Sequence, residues 1–250
     1  MEILGIIPAR YGSTRLPGKP MIKVRGKTII RRVYERVVKS TLLTRVIVAT
    51  DDVRIYNHVT KFGGDAIMTN QQHRSGTMRC GEVIRQIADA DIILNIQGDE
   101  PLINPGEVDR LVRYMAEDPD RRIGTLVKKM DSTEDLQNPS EAKVILDEDF
   151  RALYFSRAPI PFIRDKPIEQ WIEFGTYYKH IGLYAYRRST LEQLVLLEPS
   201  TLENAESLEQ LNWLYHGYPI HALETEVESF GVDTPEDVAL LEHILGLASE

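Results

Sequence analysis

Three short runs of this chain are almost wholly apolar, and each stops abruptly at a turn-forming residue. Residues 3–7 (ILGII) end at Pro8, Arg45–Thr50 (RVIVAT) ends at Asp51-Asp52, and residues 91–97 (DIILNIQ) end at Gly98-Asp99. Apolar runs this short, with no polar alternation, fit strands buried on both faces. Between them the periodicity turns helical. Ile29, Ile30, Val33, Tyr34 and Val37 share one face of residues 28–39, with Thr28 placed as the cap. A second helix is expected from Asp51-Asp52 to about Phe62, ended by Gly63-Gly64. Ala66–Met68 reads as a short strand and residues 81–88 as part of a helix. Strands alternating with helices predict an α/β fold, Rossmann-like and three-layered, with a mostly parallel sheet covered on both faces.

The second half has a different texture. Lys143–Leu146, Ala152–Ser156 and residues 180–186 read as strands, and residues 159–178 between the last two are rich in Pro and aromatic side chains. A long irregular stretch inside a compact enzyme is commonly a lid, a binding loop or a subunit contact. Helices are expected over 202–215 and Pro235–Leu247, with a strand near 220–223. The expectation is one domain: a nucleotide-binding half at 1–130, a smaller acceptor-binding and dimerisation subregion at 131–230, and a metal-binding turn with the C-terminal helix at 231–250.

Charge is unevenly spread. The net charge of −8 argues against general nucleic-acid binding, yet residues 1–45 carry 11 Lys/Arg against 2 Asp/Glu. Residues 201–250 carry 11 Asp/Glu and no Lys or Arg. Two solvated faces would give this pattern; so would a basic cradle for an anion beside carboxylates that hold a cation. Cys80 is the only cysteine, which excludes an internal disulfide and a cysteine zinc cluster and fits a reducing cytoplasm. No signal peptide is evident at Met1-Glu2-Ile3, and no apolar stretch approaches the ~18 residues of a membrane helix.

Ligands on open parallel sheets sit beyond the carboxyl ends of the strands. After the first strand comes Pro8-Ala9-Arg10-Tyr11-Gly12-Ser13-Thr14-Arg15-Leu16-Pro17-Gly18-Lys19-Pro20, with two glycines, two hydroxyls and three cations. Backbone amides beside glycine can form an anion nest, and Arg and Lys neutralise phosphate oxygens. It is not a Walker A loop, because five residues separate Gly12 from Gly18 and Pro20 follows Lys19. No G-x-G-x-x-G is present, so a dinucleotide cofactor has no support. Gln97-Gly98-Asp99-Glu100-Pro101 places Asp99 as a Mg²⁺ ligand, since that ion selects hard oxygens and substrate phosphates. Asp233-Thr234-Pro235 is, by spacing, an ordinary helix start. His180 and Tyr184, four apart on a strand, share one face.

These segments together resemble the 3-deoxy-manno-octulosonate cytidylyltransferases over nearly the whole chain. The matching blocks, in family order, are IIPARYGSTRLPGKP, IVATDD, SGTMR, NIQGDEPLI, ALYFSRAPIP, KHIGLYAYR, LEQL and GVDTPEDV. The resemblance implies CTP and the sugar acid Kdo as substrates, CMP-Kdo and diphosphate as products, and a place in lipopolysaccharide assembly. It implies that Arg10, Ser13, Arg15 and Lys19 hold the triphosphate. Ser75, Gly76, Thr77 and Arg79 would lie near the base and ribose, and Asp99 and Asp233 would bind Mg²⁺. Gln97, Arg157, His180, Tyr184, Glu209 and Gln210 would line the sugar pocket. A cytoplasmic homodimer, joined through 159–178, is the implied assembly, with no nucleic-acid or membrane partner. Two departures stand out: Met78 sits where the family carries an acidic residue, and Cys80-Gly81 replaces a more apolar pair. Glu100 favours Kdo over its 8-amino analogue. Rival readings are a cytidylyltransferase for a nonulosonic acid, a glycosyltransferase on a similar sheet, and a non-catalytic nucleotide-binding regulator.

Overall fold

A computed structural model describes residues 1–12 and 16–247. The chain divides into two compact units, Met1–Arg110 with Ser229–Glu250, and Leu111–Glu228. The division falls inside a helix rather than at residue 130, and the C-terminal turn and helix belong to the first unit.

The first unit contains β1 (Ile3–Ala9), a hairpin of β2 (Lys23–Val24) and β3 (Lys27–Thr28), α1 (Ile29–Val37), β4 (Arg45–Thr50), α2 (Val53–Lys61), β5 (Ala66–Met68), α3 (Gly76–Gln86) and β6 (Ile92–Asn95). Helix α4 (Pro105–Glu117) crosses the division. The second unit contains β7 (Ile123–Lys129), α5 (Thr133–Gln137), β8 (Lys143–Leu146), β9 (Ala152–Ser156), α6 (Trp171–Phe174), β10 (Tyr178–Arg187), α7 (Arg188–Leu194), α8 (Thr201–Glu206), α9 (Gln210–Tyr215) and β11 (Ile220–Glu224). Helix α10 (Pro235–Leu247) returns to the first unit.

In the first unit β1 pairs in parallel with both β4 and β6, and β4 pairs in parallel with β5. Residues 3–7 are all buried, so both faces of β1 are covered, as the unbroken apolar run requires. Pro8 does not end the strand; it pairs with Ala49. Ile6 accepts from the Ile96 amide, so the groups of residue 8 face the same side, where β6 has already ended at Asn95. A missing N–H there costs no ladder bond. The expected caps are present: Thr28 accepts from the Arg31 amide and Asp52 from the Arg54 amide. Gly63 follows α2 at φ 85°, a conformation that only glycine adopts without strain. Helix α3 starts at Gly76, earlier than residue 81, because Ser75 caps it by accepting from Met78.

The second unit is mostly antiparallel: β10 pairs with β7 and β8, β8 pairs with β9, and β11 joins β7 in parallel. The helix expected over 202–215 is two helices. Ser207 takes a left-handed conformation, φ 52° and ψ 46°, and separates α8 from α9. Residues 159–178 hold a 3-10 turn at Ile168–Gln170 and α6. They fold over a small core of Met130, Leu136, Trp171 and Tyr177.

Candidate active site

The first unit has a cleft of about 290 Å³ beyond the carboxyl ends of β1 and β6. Arg10, Lys19, Ser75, Gly76, Arg79, Gln97, Asp99 and Asp233 all line it. Ser13 and Arg15 lie outside the described residues. Thr77 is buried behind the wall, within 3.5 Å of the Asn95 amide nitrogen.

The centre of the cleft is a lysine between two carboxylates. Lys19 Nζ donates to Asp99 Oδ2 at 2.5 Å and to Asp233 Oδ1 at 2.9 Å. Burial on its own would lower the lysine pKa; the two carboxylates outweigh it and the net shift is upward. Each of the three side chains is placed by its own local device. Gly18, left-handed at φ 70°, launches the 3-10 turn Lys19–Met21 that carries the lysine. Asp99 follows Gly98, where a Cβ would stand 2.5 Å from the Pro8 carbonyl oxygen, so only glycine lets this segment pass the end of β1. Asp233 precedes a capping box: Thr234 Oγ1 accepts from the Asp237 amide, while Asp237 Oδ2 accepts from the amides of Asp233 and Thr234. The Val232 amide donates to the Asp99 carbonyl at 2.9 Å and ties the two carboxylate-bearing segments together. Glu100, beside them, has its carboxyl pushed up to about 8 by burial and then by the Asp99 charge.

The donor chemistry suits a divalent cation. Two carboxylates from distant segments converge on one positive group, as a hard-oxygen site requires. No cluster of three or more His, Cys, Asp or Glu side chains able to hold a metal occurs among the described residues, so other ligands would have to come from substrate phosphates and water.

The remaining residues of this wall are more committed than their motif suggests. Ser75 Oγ is engaged in capping α3. Arg79 is 3% exposed; it donates to Asp51 Oδ2 at 3.1 Å and to the Thr69 hydroxyl. A Cβ on Gly76 would stand 3.3 Å from the Asn95 amide and from Pro8, which lets the α3 N-terminus close against the strand ends. That terminus carries no acidic residue in its first turn and opens on the cleft, an arrangement that favours anions. Met78 is not among the lining residues. His73 and Arg74 do line the cleft, and so were missed by motif reasoning. The one available signal was the position of Arg74 beside Ser75. Asn95, the lone polar residue of β6, has its Oδ1 buried without a partner among the described residues.

In the second unit β10 brings His180 and Tyr184 together, with ring centroids 5.0 Å apart. A bulge inserts two residues between Ile181 and Tyr184 relative to β7, which preserves the parity of the strand and keeps both rings on one face. Thr125 Oγ1 lies 3.0 Å from His180 Nε2 and within 2.9 Å of the Leu183 carbonyl. With its one proton given to a carbonyl, this hydroxyl accepts from Nε2–H, which sets the imidazole tautomer. Burial lowers the His180 pKa to about 3. Tyr184 and Trp213 form a T-shaped ring pair with centroids 5.0 Å apart, and the Tyr184 hydroxyl is buried with no partner among the described residues. Burial, then the Glu209 charge, pushes that phenol well above its ordinary value. Gln210, buried, starts α9. Arg157 is engaged differently. Its guanidinium donates to the carbonyls of Glu206 at 2.7 Å, Pro139 at 2.9 Å and Ser207 at 3.3 Å, bracing the left-handed break before α9. These bonds use three of its five N–H donors, leaving one on each terminal nitrogen.

His180 is expected to make stability pH-dependent. Its folded pKa lies below the unfolded value of about 6.5, so its contribution is fully present above that value and declines as pH falls towards 3. The expected slope from this residue is up to about 1.4 kcal/mol per pH unit in that window. Urea midpoints at neutral and mildly acidic pH, for the wild type and His180→Asn, measure it. Equal losses on acidification would remove His180 as the cause.

A parallel sheet whose carboxyl edge carries Arg10, Lys19, a helix N-terminus and a pair of carboxylates is the arrangement of a nucleotide-binding α/β protein of the nucleotidyltransferase type. The profile of the cytidylyltransferases matches residues 4–227. A 3-deoxy-manno-octulosonate cytidylyltransferase of Parabacteroides distasonis is 50% identical over 243 residues, covering 95% of this chain and 96% of that protein. One of Bacteroides thetaiotaomicron is 49% identical, with 98% of each chain covered. A solved CMP:2-keto-3-deoxy-manno-octonic acid synthetase complexed with CTP superposes with a TM-score of 0.92 at 42% identity, covering 99% of this chain and 100% of that one. This chain belongs to the 3-deoxy-manno-octulosonate cytidylyltransferase family.

Proposed function

We propose that this protein transfers CMP from CTP to 3-deoxy-manno-octulosonate, releasing diphosphate, and that it does so with Mg²⁺ at Asp99 and Asp233. The observation that carries the reading is the Lys19 ammonium between those two carboxylates, in a chain half identical along its length to a cytidylyltransferase of that sugar acid. In the reaction the C2 hydroxyl oxygen of the sugar forms a bond to the α-phosphorus. The bond from that phosphorus to the bridging oxygen breaks, diphosphate leaves with the electron pair, and the hydroxyl proton is released.

Negative charge accumulates on the phosphoryl oxygens, so cations held in place beforehand are the main source of rate. Arg10 and Lys19 supply them from the loop after β1, and the first amides of α3 face the same cleft. Mg²⁺ bound at Asp99 and Asp233 would orient the phosphates and stabilise the same charge. Gln97, Arg157, His180, Tyr184, Glu209 and Gln210 are the proposed sugar contacts. The free Tyr184 hydroxyl and the neutral His180 ring support this assignment, being buried polar groups suited to hydroxyls.

Diphosphate release from CTP and Mg²⁺, followed over a panel of sugar acids, tests the substrate. Kdo is expected to be turned over at least tenfold faster than a sialic acid; release with the sialic acid alone would transfer the chain to the nonulosonic-acid enzymes. A cytoplasmic enzyme feeding lipopolysaccharide assembly is the setting that this substrate implies, and no described helix is long and apolar enough to cross a membrane.

A homodimer through residues 159–178 is part of the same proposal. Phe162 and Phe174 are 72% and 54% exposed there and offer apolar surface to a second copy. Sedimentation of the double variant Phe162→Ser/Phe174→Ser is expected to give monomer where the wild type gives dimer. A dimeric variant would move the interface elsewhere.

A further inference from the structure

Gly18, the residue before Lys19, is held by residues outside the cleft. Its amide donates to the Tyr11 carbonyl at 3.0 Å. The Tyr11 ring lies against Gly18 so closely that a Cβ there would stand 3.0 Å from its Cζ and Oη. Over the same ring sits the Arg54 guanidinium, its Cζ 3.4 Å from the centroid. Arg54 is in turn fixed by Asp52, with Nε to Oδ1 at 2.9 Å and Nη2 to Oδ2 at 2.6 Å. Asp52 is immobilised as the cap of α2, accepting from the Arg54 amide at 2.9 Å. A continuous chain therefore runs from the rigid end of β4 and α2 through Arg54 and Tyr11 to Gly18. The next residue is Lys19, whose direction depends on the left-handed angles of that glycine.

We propose that Arg54 and Tyr11 are positioning residues for the triphosphate-binding loop: the guanidinium pins the Tyr11 ring, and the ring holds Gly18 in the conformation that aims Lys19 into the cleft. The inference rests on the reading that Arg10 and Lys19 bind the triphosphate of CTP. Arg54 does not line the cleft and its side chain is 58% exposed, so it acts through the ring and not on the nucleotide. An exposed cation–π contact changes an equilibrium by about two- to fivefold, which sets the size of the effect. Because the contact uses the ring face, the tyrosine hydroxyl contributes little to it.

Equilibrium binding of CTP with Mg²⁺, in the absence of any sugar acid, tests this on Arg54→Ala, Tyr11→Ala, Tyr11→Phe and the double alanine variant. Each single alanine variant is expected to weaken CTP binding about two- to fivefold, and the double variant no further than the worse single one. Tyr11→Phe should bind as the wild type does. In turnover the same variants should raise KM for CTP and leave kcat and KM for the sugar acid within twofold. Thermal midpoints should stay unchanged for Arg54→Ala, which removes no buried group. Additive losses in the double variant, or unchanged CTP binding in both single variants, would overturn the proposal. A wild-type protein that bound no CTP would overturn the nucleotide reading as well, so the two failures are distinguishable.

Discussion

Asp99→Asn and Asp233→Asn are each expected to lower kcat roughly 100- to 1000-fold, while CTP binding stays within several-fold of the wild type. Asparagine keeps the volume of aspartate and one oxygen to accept from Lys19 Nζ, so the bonds at 2.5 Å and 2.9 Å need not be lost. What disappears is one negative charge and one hard ligand. A cation held by the two carboxylates would then lose half of its protein ligands. The apparent Mg²⁺ requirement should rise in both variants, and added Mg²⁺ should recover part of the rate. Initial rates of diphosphate release over a Mg²⁺ titration, with the urea midpoint measured alongside, are the needed data. Unchanged kcat in both variants would take the metal away from this pair. A fall in kcat matched by a fall in the midpoint would make the effect structural.

Asp233 also shows where sequence reasoning runs out. Its neighbours Thr234, Pro235 and Asp237 spell a helix start, and the structure builds that start bond for bond. Nothing in the spacing tells that the same turn carries a carboxylate to Lys19. The closure depends on the Val232 amide meeting the Asp99 carbonyl, a contact between distant segments with no local signature. Family resemblance supplied the pairing; periodicity did not. The strands were legible for the opposite reason. Burial on both faces of β1, β4 and β6 leaves near-continuous apolar runs, and their ends mark the ligand edge.

Errors of extent have equally concrete causes. Helix α3 begins in Ser75-Gly76-Thr77, residues that read as loop until the Ser75 bond to Met78 is seen. The break between α8 and α9 falls at Ser207, which carries no glycine or proline signal; Arg157, far away in sequence, braces it through the carbonyls of Glu206 and Ser207. Helix α4 and β7 lie in a stretch where the recognised motifs carry no information. The expected roles of Ser75 and Arg79 illustrate a related point. Their motif locates them at the cleft, and the structure adds that each already serves the fold.

That double duty gives the second large effect, at Asp51. Arg79 is 3% exposed and its guanidinium rests on the Asp51 carboxylate and the Thr69 hydroxyl. Removing one partner of a buried pair leaves the other charge desolvated and uncompensated, at a cost of about 3–5 kcal/mol. Asp51 keeps 16% of its side-chain exposure, so Asp51→Ala should fall at the lower end, about 3 kcal/mol. The double variant Asp51→Ala/Arg79→Met removes both charges and keeps much of the arginine's apolar stem, so it should regain most of that stability. Urea unfolding of the two variants and the wild type decides the matter. If Asp51→Ala cost less than about 1 kcal/mol, Arg79 would be free to serve the nucleotide rather than the fold. With the expected cost, Arg79 shapes its end of the cleft mainly as a rigid wall. A nucleotide bound there would meet the α3 amides and Arg74 beside it as its polar contacts.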